Sequence, residues 1–276
     1  MKSYSYIISG ASGKPIALDL CTPDAQGNYP LVIFVHGFKG FKDWGTHNLT
    51  AKYFVEKGFQ FLKFNFSHNG ISLKEKDVFD DLESFGQNTF SKELFDLDEV
   101  LTFALSGEEF KAPDKVFLIG HSRGGGICII QAAEDRRVSK LVTWASVNRF
   151  SNMWQPEQES QWKKDGVIYS VNTRTNQQMP LNITLLEDLE HNSELLEIDS
   201  AAKKVSQPWL IIHGMADPGV AVAQAKELNR QNAKSQLLLI EEGDHVFGAK
   251  HPWTANEIPE KLKEVCDETI SFLRKY

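Results

Sequence analysis

The chain has 276 residues, of which 41% are hydrophobic and 24% charged, and its formal net charge is −7. This length suits one large α/β domain or one domain with an insertion, and the composition excludes the disordered and fibrous classes. An acidic chain without a lysine and arginine cluster is unlike a nucleic-acid-binding protein, and no run of eighteen apolar residues is present to span a bilayer.

The cysteines and the N-terminal residues bear on the compartment. Cys21, Cys128 and Cys266 are odd in number, widely spaced and free of any CxxC pair, which argues against a disulfide framework and fits a reducing environment. The opening residues, MKSYSYIISG, lack the apolar stretch that a secretory signal needs. We therefore expect a cytoplasmic protein with neither a membrane nor a nucleic acid as partner.

Apolar runs typical of strands alternate along the chain with segments of helical periodicity. The run 31-LVIFVH-36 is continuously apolar, as in a strand covered on both faces, whereas the leucines between 94 and 105 recur at helical spacing. The predicted strands span 4–8, 15–21, 31–36, 59–66, 115–120, 140–146, 209–214 and 236–242. The predicted helices span 47–57, 91–106, 127–133, 220–229 and 260–273. This alternation predicts βαβ units, and hence a mostly parallel sheet with helices on both faces.

Residues 147–205 interrupt the alternation. The segment is polar and rich in aromatic residues, with a possible hairpin at 167–181 and a helix-like stretch at 185–198. We interpret it as a lid or cap inserted over the carboxyl edge of the sheet. The α/β core is then formed by 1–146 together with 206–276.

The stretch 118-LIGHSRGGG-126 places Ser122 between two glycines directly after a predicted buried strand. Gly120 and Gly124 remove the Cβ atoms that would collide where a strand closes tightly onto a helix, and such a turn pushes the serine hydroxyl outward. The alternative is a glycine-rich turn without chemistry. The context of strand, turn and helix favours a nucleophile elbow.

A serine nucleophile needs a general base, and that base needs an acid to orient it. Where the nucleophile lies on such an elbow, the chain order is Ser, then Asp or Glu, then His. His245 lies on a glycine-flanked loop just past the strand predicted at 236–242, which makes it the best candidate base; the alternative is a surface loop histidine. The other histidines downstream of the serine are His191, His213 and His251.

Asp217 is the best candidate acid. It lies in 213-HGMADPGV-220, on the loop that leaves a predicted strand, where a carboxylate could accept the Nδ1 proton of His245. The alternative is an Asp-Pro turn or a helix cap. Asp244 is the competitor, but as the immediate neighbour of His245 it is badly placed to reach that ring.

An oxyanion hole requires backbone N–H groups that point to the position where negative charge develops. One should come from Arg123, the residue after the nucleophile, and the other from the loop 36-HGFKGFKDWG-45 after the third strand. Phe38 follows His-Gly in that loop, so its N–H is the candidate second donor. His36 fits a structural role better than a catalytic one.

These motifs resemble those of the α/β-hydrolases, and in particular of the small carboxylesterases near the cinnamoyl or feruloyl esterases and the dienelactone-hydrolase-like proteins. The matching pieces occur in the same order and span most of the core: HGFKG (36–40), GHSRGG (120–125), HGMAD (213–217) and GDHVF (243–247). The resemblance implies the α/β-hydrolase fold. It also implies that the insertion shapes an aromatic pocket, as a comparable insertion does in the cinnamoyl esterases.

The resemblance further implies a triad of Ser122, Asp217 and His245, with the oxyanion amides supplied by Phe38 and Arg123. Dienelactone hydrolases proper have cysteine as the nucleophile, whereas this chain has Ser122. No zinc-protease, CxxC, EF-hand or nucleotide-binding motif follows any predicted strand, so we expect neither a metal nor a cofactor.

Two groups of side chains could shape the substrate site. The aromatic group could line an apolar pocket or could simply pack the insertion onto the core; it consists of Phe38, Phe41, Trp44, Trp154 and Trp162. The charged group could border the mouth and favour a polar or anionic leaving portion of the substrate, although solvated loop charges explain it better; it consists of Lys39, His68 and Arg123.

The function predicted from the sequence is a serine hydrolase that cleaves small to medium acyl or aromatic carboxylic esters through an acyl-enzyme. A peptidase or thioesterase would use the same triad, and a binding module on the same fold with little turnover is a further alternative. The expected partner is a small-molecule ester, and the chain is expected to be a monomer or a homodimer.

Overall fold

The computed structural model describes residues 1–23 and 28–275. The strands of this part of the chain are β1 (Lys2–Ser9), β2 (Pro15–Thr22), β3 (Leu31–Val35), β4 (Gln60–Phe64), β5 (Val116–His121), β6 (Val138–Trp144), β7 (Val167–Asn172), β8 (Gln177–Asn182), β9 (Trp209–Gly214) and β10 (Gln236–Ile240). The helices are α1 (His47–Glu56), α2 (Leu82–Gly86), α3 (Phe90–Ser106), α4 (Arg123–Glu134), α5 (Pro156–Asp165), α6 (Ile183–His191), α7 (Ile198–Lys204), α8 (Val222–Gln231) and α9 (Glu260–Arg274).

Eight of these strands form one sheet in the order β1-β2-β4-β3-β5-β6-β9-β10. The pairs β1–β2 and β2–β4 are antiparallel, and all the remaining neighbouring pairs, from β4 to β10, are parallel. The carboxyl ends of the parallel strands therefore meet at one edge of the sheet, which is where ligands bind in open α/β sheets. The predicted mixed α/β fold with a mostly parallel sheet is confirmed.

The central strand β3 shows how the sequence builds a core on both faces of the sheet. All five of its residues are buried. Leu31, Ile33 and Val35 pack into one apolar cluster, whereas Val32 and Phe34 pack into a second one on the opposite face. Alternate side chains of a strand point to opposite faces, so a strand covered twice needs an uninterrupted apolar run.

The insertion differs in part from the expected pattern. The predicted hairpin is present as β7 and β8, which pair in antiparallel fashion. The helix-like stretch at 185–198 is helical only as far as His191, the end of α6; residues 192–197 are not helical, and α7 begins at Ile198. Asn192 ends α6 because its backbone, with φ −107° and ψ 29°, leaves the helical range, although its amide still donates to the Asp188 carbonyl oxygen at 2.9 Å. The helix α5 was not predicted, although Pro156 at its first turn and a left-handed Gly166 at its end are ordinary boundary signals.

Segment 147–205 lies between β6 and β9 and packs on the elbow helix α4. A Cβ on Gly126 of that helix would lie 2.7 Å from Ile198 and 3.0 Å from Phe150, two residues of the segment. Trp154 and Trp162 meet edge to face, with 5.3 Å between ring centroids, inside the same apolar cluster as β3 and β5.

Two further features concern the described ranges. None of the helices there is both long and apolar enough to cross a membrane. Cys21, Cys128 and Cys266 are buried free thiols.

Candidate active site

Ser122 lies at the junction of β5 and α4, with φ 56° and ψ −121°. Few residues other than glycine adopt a positive φ, and the surroundings hold this conformation in place. The Ser122 amide donates to the carbonyl oxygen of Trp144 at 2.9 Å, and the Ser122 carbonyl accepts from Gly125 at 3.0 Å. A Cβ on Gly124 would lie 2.5 Å from the carbonyl oxygen of His36, so only glycine lets the helix approach this closely.

Asp217 and His245 form a hydrogen-bonded pair. The Nδ1 atom of His245 lies 2.8 Å from Oδ2 of Asp217, whose side chain is fully buried. The other oxygen, Oδ1, accepts from the amides of Gly219 at 2.7 Å and Val220 at 2.9 Å. Because these amides occupy Oδ1, the remaining oxygen is fixed towards the imidazole.

The environment keeps Asp217 ionised. Burial alone would raise the pKa of this carboxyl group, but hydrogen bonding by His213 and His245 outweighs burial and sets the pKa well below its ordinary value. His213 Nε2 lies 2.8 Å from the carbonyl oxygen of Val220 and 3.3 Å from Asp217 Oδ2, so its shorter contact is with the backbone. A permanently charged Asp217 can hold the His245 Nδ1 proton and stabilise an imidazolium.

Ser122 and His245 line the same cavity, which has a volume of about 370 Å³. The hydrogen bonds of the described residues do not include one between the Ser122 hydroxyl and the His245 imidazole. Such contacts are often long without substrate and shorten in the Michaelis complex. The structure thus joins the predicted base to the predicted acid, and it brings the predicted nucleophile to the same cavity without a direct bond.

His121 supports the His245 loop, a role that the sequence did not indicate. Its Nε2 atom lies 2.8 Å from the His245 carbonyl oxygen, and the two imidazole rings lie 4.9 Å apart between centroids. Burial, aided by the nearby His245, lowers the pKa of His121 to about 3. A neutral His121 can therefore donate Nε2–H to that carbonyl across the neutral pH range. The sequence places His121 next to Ser122 but contains no signal for the direction of its ring.

The two amides predicted for the oxyanion hole have no acceptor in the part of the chain that the structure describes. Within residues 1–23 and 28–275, neither the Phe38 amide nor the Arg123 amide donates to another protein group. Arg123 is the first residue of α4, where N–H groups have no partner within the helix. A Cβ on Gly37 would lie 2.9 Å from the Ser122 Cβ, so the Phe38 loop passes directly beside the candidate nucleophile.

A buried ion cluster anchors that loop to the sheet. Lys63 of β4 is 1% exposed, and its Nζ donates to Asp19 of β2 at 2.7 Å and to Asp43 of the loop at 2.6 Å. Lys42 donates to Asp19 at 2.6 Å as well. Burial would raise the pKa of Asp19, but Lys63 and Lys42 lower it to about 2.

His36, in the same loop, is buried and its Nδ1 bonds the Gly37 carbonyl oxygen at 2.9 Å, and burial lowers its pKa to about 4. It does not line the cavity. This placement agrees with a structural role.

The charged side chains expected at the mouth do not all lie there. Arg123 is buried, pairs with Glu93 and stacks its guanidinium 4.9 Å from the Phe38 ring centroid, so the expectation of a mouth or solvated charge is wrong. His68 is also buried and is absent from the cavity wall. Only Lys39 lines the cavity. An arginine at the start of an elbow helix can turn inward when a buried carboxylate lies within reach. No local sequence pattern reveals the position of that carboxylate.

The aromatic side chains divide in the same way. Phe38 and Trp44 line the cavity. Phe41 is fully buried beneath the wall, and Trp154 and Trp162 pack against each other in the insertion. These last three side chains pack in the interior, as the alternative interpretation predicted, and do not line the cavity.

The hairpin turn between β7 and β8 contributes to the cavity wall with residues that the sequence analysis did not single out. They are Asn172, Thr173 and Arg174. Lys250 and His251, on the loop after His245, line it too. Which of these residues reach the cavity depends on how segment 147–205 and the loop after His245 fold, and no local sequence pattern predicts that.

The rejected alternatives to the acid and the base have other partners. Asp244 Oδ1 accepts from the amides of Val246 at 3.0 Å and Gly248 at 2.8 Å. The His251 Nδ1 atom accepts from the Gly45 amide at 2.8 Å. His191 is exposed at the end of α6. As for metals, no group of three or more candidate ligand side chains occurs in the parts of the chain that are described.

Comparison with solved structures places the fold among esterases and hydrolases. The chain is similar to Est1E from Butyrivibrio proteoclasticus bound to ferulic acid, with a TM-score of 0.75, 17% identity and 97% of each chain covered. It is similar to the esterase domain of a Rhodothermus marinus protein, with a TM-score of 0.69, 17% identity and coverage of 100% of this chain and 99% of that one. It is also similar to dienelactone hydrolase from Anabaena variabilis, with a TM-score of 0.64, 16% identity and coverage of 100% and 98%.

No curated protein sequence matches the chain. A family model named BD-FAE matches residues 18–231, which include Ser122 and Asp217 and are well over half of the chain. The expected resemblance to the feruloyl esterases and dienelactone hydrolases is confirmed, and ester hydrolysis is supported as a general activity. The chain belongs to the BD-FAE family and has the α/β-hydrolase fold.

Proposed function

We propose that the protein is a serine hydrolase that cleaves small to medium acyl or aromatic carboxylic esters through an acyl-enzyme. The observation that carries this proposal is the hydrogen-bonded pair of Asp217 and His245, whose imidazole faces the same cavity as Ser122. A nucleophile and a base on one cavity wall, with a buried acid that orients the base, are the parts that acyl transfer needs.

In the proposed reaction, the Ser122 hydroxyl attacks the ester carbonyl while His245 Nε2 accepts its proton. Asp217 stabilises the imidazolium through the 2.8 Å contact with Nδ1. The amides of Phe38 and Arg123 donate to the tetrahedral oxyanion. His245 then protonates the leaving alcohol oxygen as the carbon–oxygen bond breaks. A water molecule, deprotonated by His245, then attacks the acyl-enzyme carbonyl. Ser122 takes the proton back from His245 as its bond to the acyl group breaks, and the carboxylic acid is released.

The cavity supports the proposed substrate size. A volume of about 370 Å³ lies within the range of small-molecule sites. Phe38, Trp44 and Trp144 give its wall an aromatic component. Est1E, with the same fold, binds ferulic acid, and an aromatic acyl group is correspondingly included among the substrates proposed for this chain.

A fluorophosphonate probe tests the proposed nucleophile, because it forms a stable adduct only with an activated serine. We expect the wild type to be labelled stoichiometrically and Ser122→Ala not to be labelled. Ser106→Ala, which alters an exposed serine at the end of α3, is the matched control and should be labelled like the wild type. Equal labelling of Ser122→Ala, or no labelling of folded wild type, would contradict the proposal.

A substrate series separates esters from the alternatives. Hydrolysis rates would be compared for 4-nitrophenyl esters from acetate to octanoate, methyl ferulate, an acyl thioester and an aminoacyl amide. We expect kcat/KM to be highest for esters of acyl groups that fit the cavity. A protein that hydrolyses only the amide or only the thioester would show that the ester assignment is wrong.

A further inference from the structure

The cavity wall carries a charge opposite to that of the whole chain. The chain has a net charge of −7, yet the wall contains Lys39, Arg174 and Lys250 and, within the described residues, no aspartate or glutamate. Charges of one sign in a cleft concentrate ligands of the other sign there. The wall of the candidate active site is thus suited to an anionic ligand.

Two of the wall residues have buried donors without a partner. Asn172 is 7% exposed and Arg174 is half-buried. Neither the Asn172 Nδ2 atom nor the Arg174 Nη1 atom makes a hydrogen bond with the described part of the protein. Buried donors are nearly always paired because an unpaired one costs free energy. Two such donors on cavity-lining residues of one turn are candidate partners for an external acceptor.

The local backbone orients the Asn172 side chain. Asn172 Oδ1 accepts from the Arg174 amide at 3.3 Å, and the Asn172 carbonyl accepts from the Thr175 amide at 3.1 Å. These bonds close the turn between β7 and β8. Oδ1 is engaged with the backbone, whereas the Nδ2 donor of this cavity-lining residue has no partner among the described residues.

Contacts on both sides hold the hairpin in place. Lys39, beside the Phe38 loop, donates to the carbonyl oxygen of Val171 at 2.7 Å, and Gln177 donates to the carbonyl oxygen of Phe79 at 2.9 Å. The Arg174 guanidinium lies 5.6 Å from the centroid of the Phe41 ring. The donors are therefore preorganised, which reduces the entropy that a ligand loses on binding.

Arg174 carries a charge that no carboxylate of the described residues pairs with at hydrogen-bond distance. It forms no ion pair among the described residues, unlike the buried Arg123, which pairs with Glu93. Burial lowers the pKa of Arg174 and the exposed Asp77 raises it, but a guanidinium stays charged at any pH of interest. His251 is the other titratable group close to it, and burial together with Arg174 lowers the pKa of that imidazole. The charge on Arg174 is thus available to a ligand.

We propose that Asn172 and Arg174 form a carboxylate-binding subsite, and that the substrate of Ser122 is an ester that also carries a free carboxylate. This inference rests on the proposed function. A planar guanidinium presents parallel N–H donors that match the two oxygens of a carboxylate, and the Asn172 amide adds a neutral donor. The ester carbonyl then lies at Ser122 while the distant carboxylate is held at the hairpin.

The kinetic experiment compares matched esters with and without a carboxylate. For the acyl side, the pair is the mono-4-nitrophenyl ester of glutarate and 4-nitrophenyl pentanoate. For the alcohol side, the pair is 4-carboxyphenyl butyrate and phenyl butyrate. We expect the wild type to prefer the anionic member of at least one pair, and the pair in which the preference appears identifies the side that carries the carboxylate.

The variants test whether the preference comes from the hairpin. Arg174→Gln should lower the ratio of kcat/KM for the anionic ester to that for the neutral one by about tenfold or more, as expected when a charged hydrogen bond is removed. Asn172→Asp, which brings a negative charge to the same turn, should also lower this ratio. Arg136→Gln is the matched control. It removes the same charge from an exposed residue before β6, at the opposite edge of the sheet, and should leave the ratio unchanged.

A binding measurement gives a readout that does not depend on turnover. Glutarate and 4-hydroxybenzoate would be titrated into Ser122→Ala, with and without Arg174→Gln, and tryptophan fluorescence followed, because Trp44 and Trp144 line the cavity. We expect the added Arg174→Gln substitution to weaken binding of the carboxylate by about tenfold.

The outcomes separate the two proposals. A wild type that hydrolyses the neutral esters but shows no preference in either pair overturns the carboxylate subsite and leaves the proposed function standing. A ratio that Arg174→Gln and Arg136→Gln lower equally, or carboxylate binding that Arg174→Gln does not weaken, overturns it as well. A folded wild type that hydrolyses no ester and takes up no fluorophosphonate contradicts the proposed function itself.

Discussion

The backbone at Ser122 is strained, and contacts with neighbouring residues hold it in that conformation. A non-glycine residue at φ 56° costs on the order of 1–3 kcal/mol, and such costs are tolerated where the surrounding structure fixes the conformation. Here Gly120 and Gly124 allow the strand and helix to close on the turn, and the Trp144 carbonyl holds the serine amide at 2.9 Å. The gain is a hydroxyl presented to the cavity rather than to the protein interior.

The contact between Asp217 and His245 leads to a prediction about the acid. Asp217→Asn should preserve the fold but lower kcat by about 10⁴, by analogy with the triad acid of a serine protease. An amide in this place favours the wrong imidazole tautomer and leaves the imidazolium without a counter-ion. Steady-state ester hydrolysis measures the effect, and circular dichroism checks the fold.

Asp244→Asn is the control for that change, because Asp244 adjoins His245 but bonds backbone amides instead of the ring. It should retain most of the activity. If the two variants lost activity equally, or if Asp217→Asn were fully active, Asp217 would not be the orienting acid.

At the scale of single residues, what the sequence reveals depends on where the signal lies. Ser122 lies in a local motif, and His245 and Asp217 follow strands in a fixed chain order, so all three could be selected from the sequence. Arg174 and His121 could not. Their roles depend on which way a side chain points after the insertion and the loops have folded, and one sequence does not contain that information.

The ion cluster under the Phe38 loop joins three elements, and its strength should depend on pH. Lys63 on β4 binds Asp19 on β2 and Asp43 on the loop. The native pKa of Asp19, about 2, lies below the ordinary value of 3.8. Asp19 therefore contributes its full stabilisation above about pH 4, and this contribution is lost as the pH falls through about 2.

Asp19→Asn tests this dependence. At pH 7 it should lower the free energy of unfolding by about 2 kcal/mol, since a charged hydrogen-bond acceptor of the nearly buried Lys63 is removed. The difference from wild type should stay constant from pH 7 to 5 and shrink steadily below pH 4. Urea unfolding at each pH gives these values.

The control for Asp19→Asn is Asp165→Asn, which alters an exposed carboxylate at the end of α5. It should change the free energy of unfolding by no more than about 0.5 kcal/mol at pH 7. A difference for Asp19→Asn that remains the same down to the lowest pH would show that the side chain acts through packing and not through its charge.

At the scale of elements, the buried strands and the long amphipathic helices were predictable because their periodicity is strong. The strand β9, predicted at 209–214, has those bounds in the structure. The end of α6 at His191, within the helix-like stretch 185–198, was not predicted. The apolar spacing of that stretch continues through Asn192, and only the backbone of the structure, which leaves the helical range at that residue, shows that α6 ends there.

At the scale of the whole molecule, the sequence predicts a mostly parallel sheet but not the order of its strands, because order depends on which crossovers the packing selects. It also leaves open how closely the insertion is tied to the core. The structure shows that Trp154, Trp162, Met179 and Leu186 belong to the same apolar cluster as β3, β5 and α4. Two bonds join the hairpin to the core: Lys39 of the core donates to the Val171 carbonyl oxygen, and Gln177 of the hairpin donates to the Phe79 carbonyl oxygen.

A shared core predicts that the insertion and the sheet unfold together. Thermal unfolding should be a single transition with equal calorimetric and van't Hoff enthalpies, as cooperative units show.

Trp162→Ala should shift this one transition instead of splitting it, because its fully buried indole contributes about 3–5 kcal/mol, or roughly 10 °C in a chain of this size. Tyr169→Ala, which removes an exposed ring from the same insertion, should shift it by no more than about 2 °C. A separate low-temperature transition that Trp162→Ala alone displaces would mean that the insertion is an independent unit. Asn172 and Arg174, the hairpin residues proposed to donate to a carboxylate, would then lack the rigid support of the core.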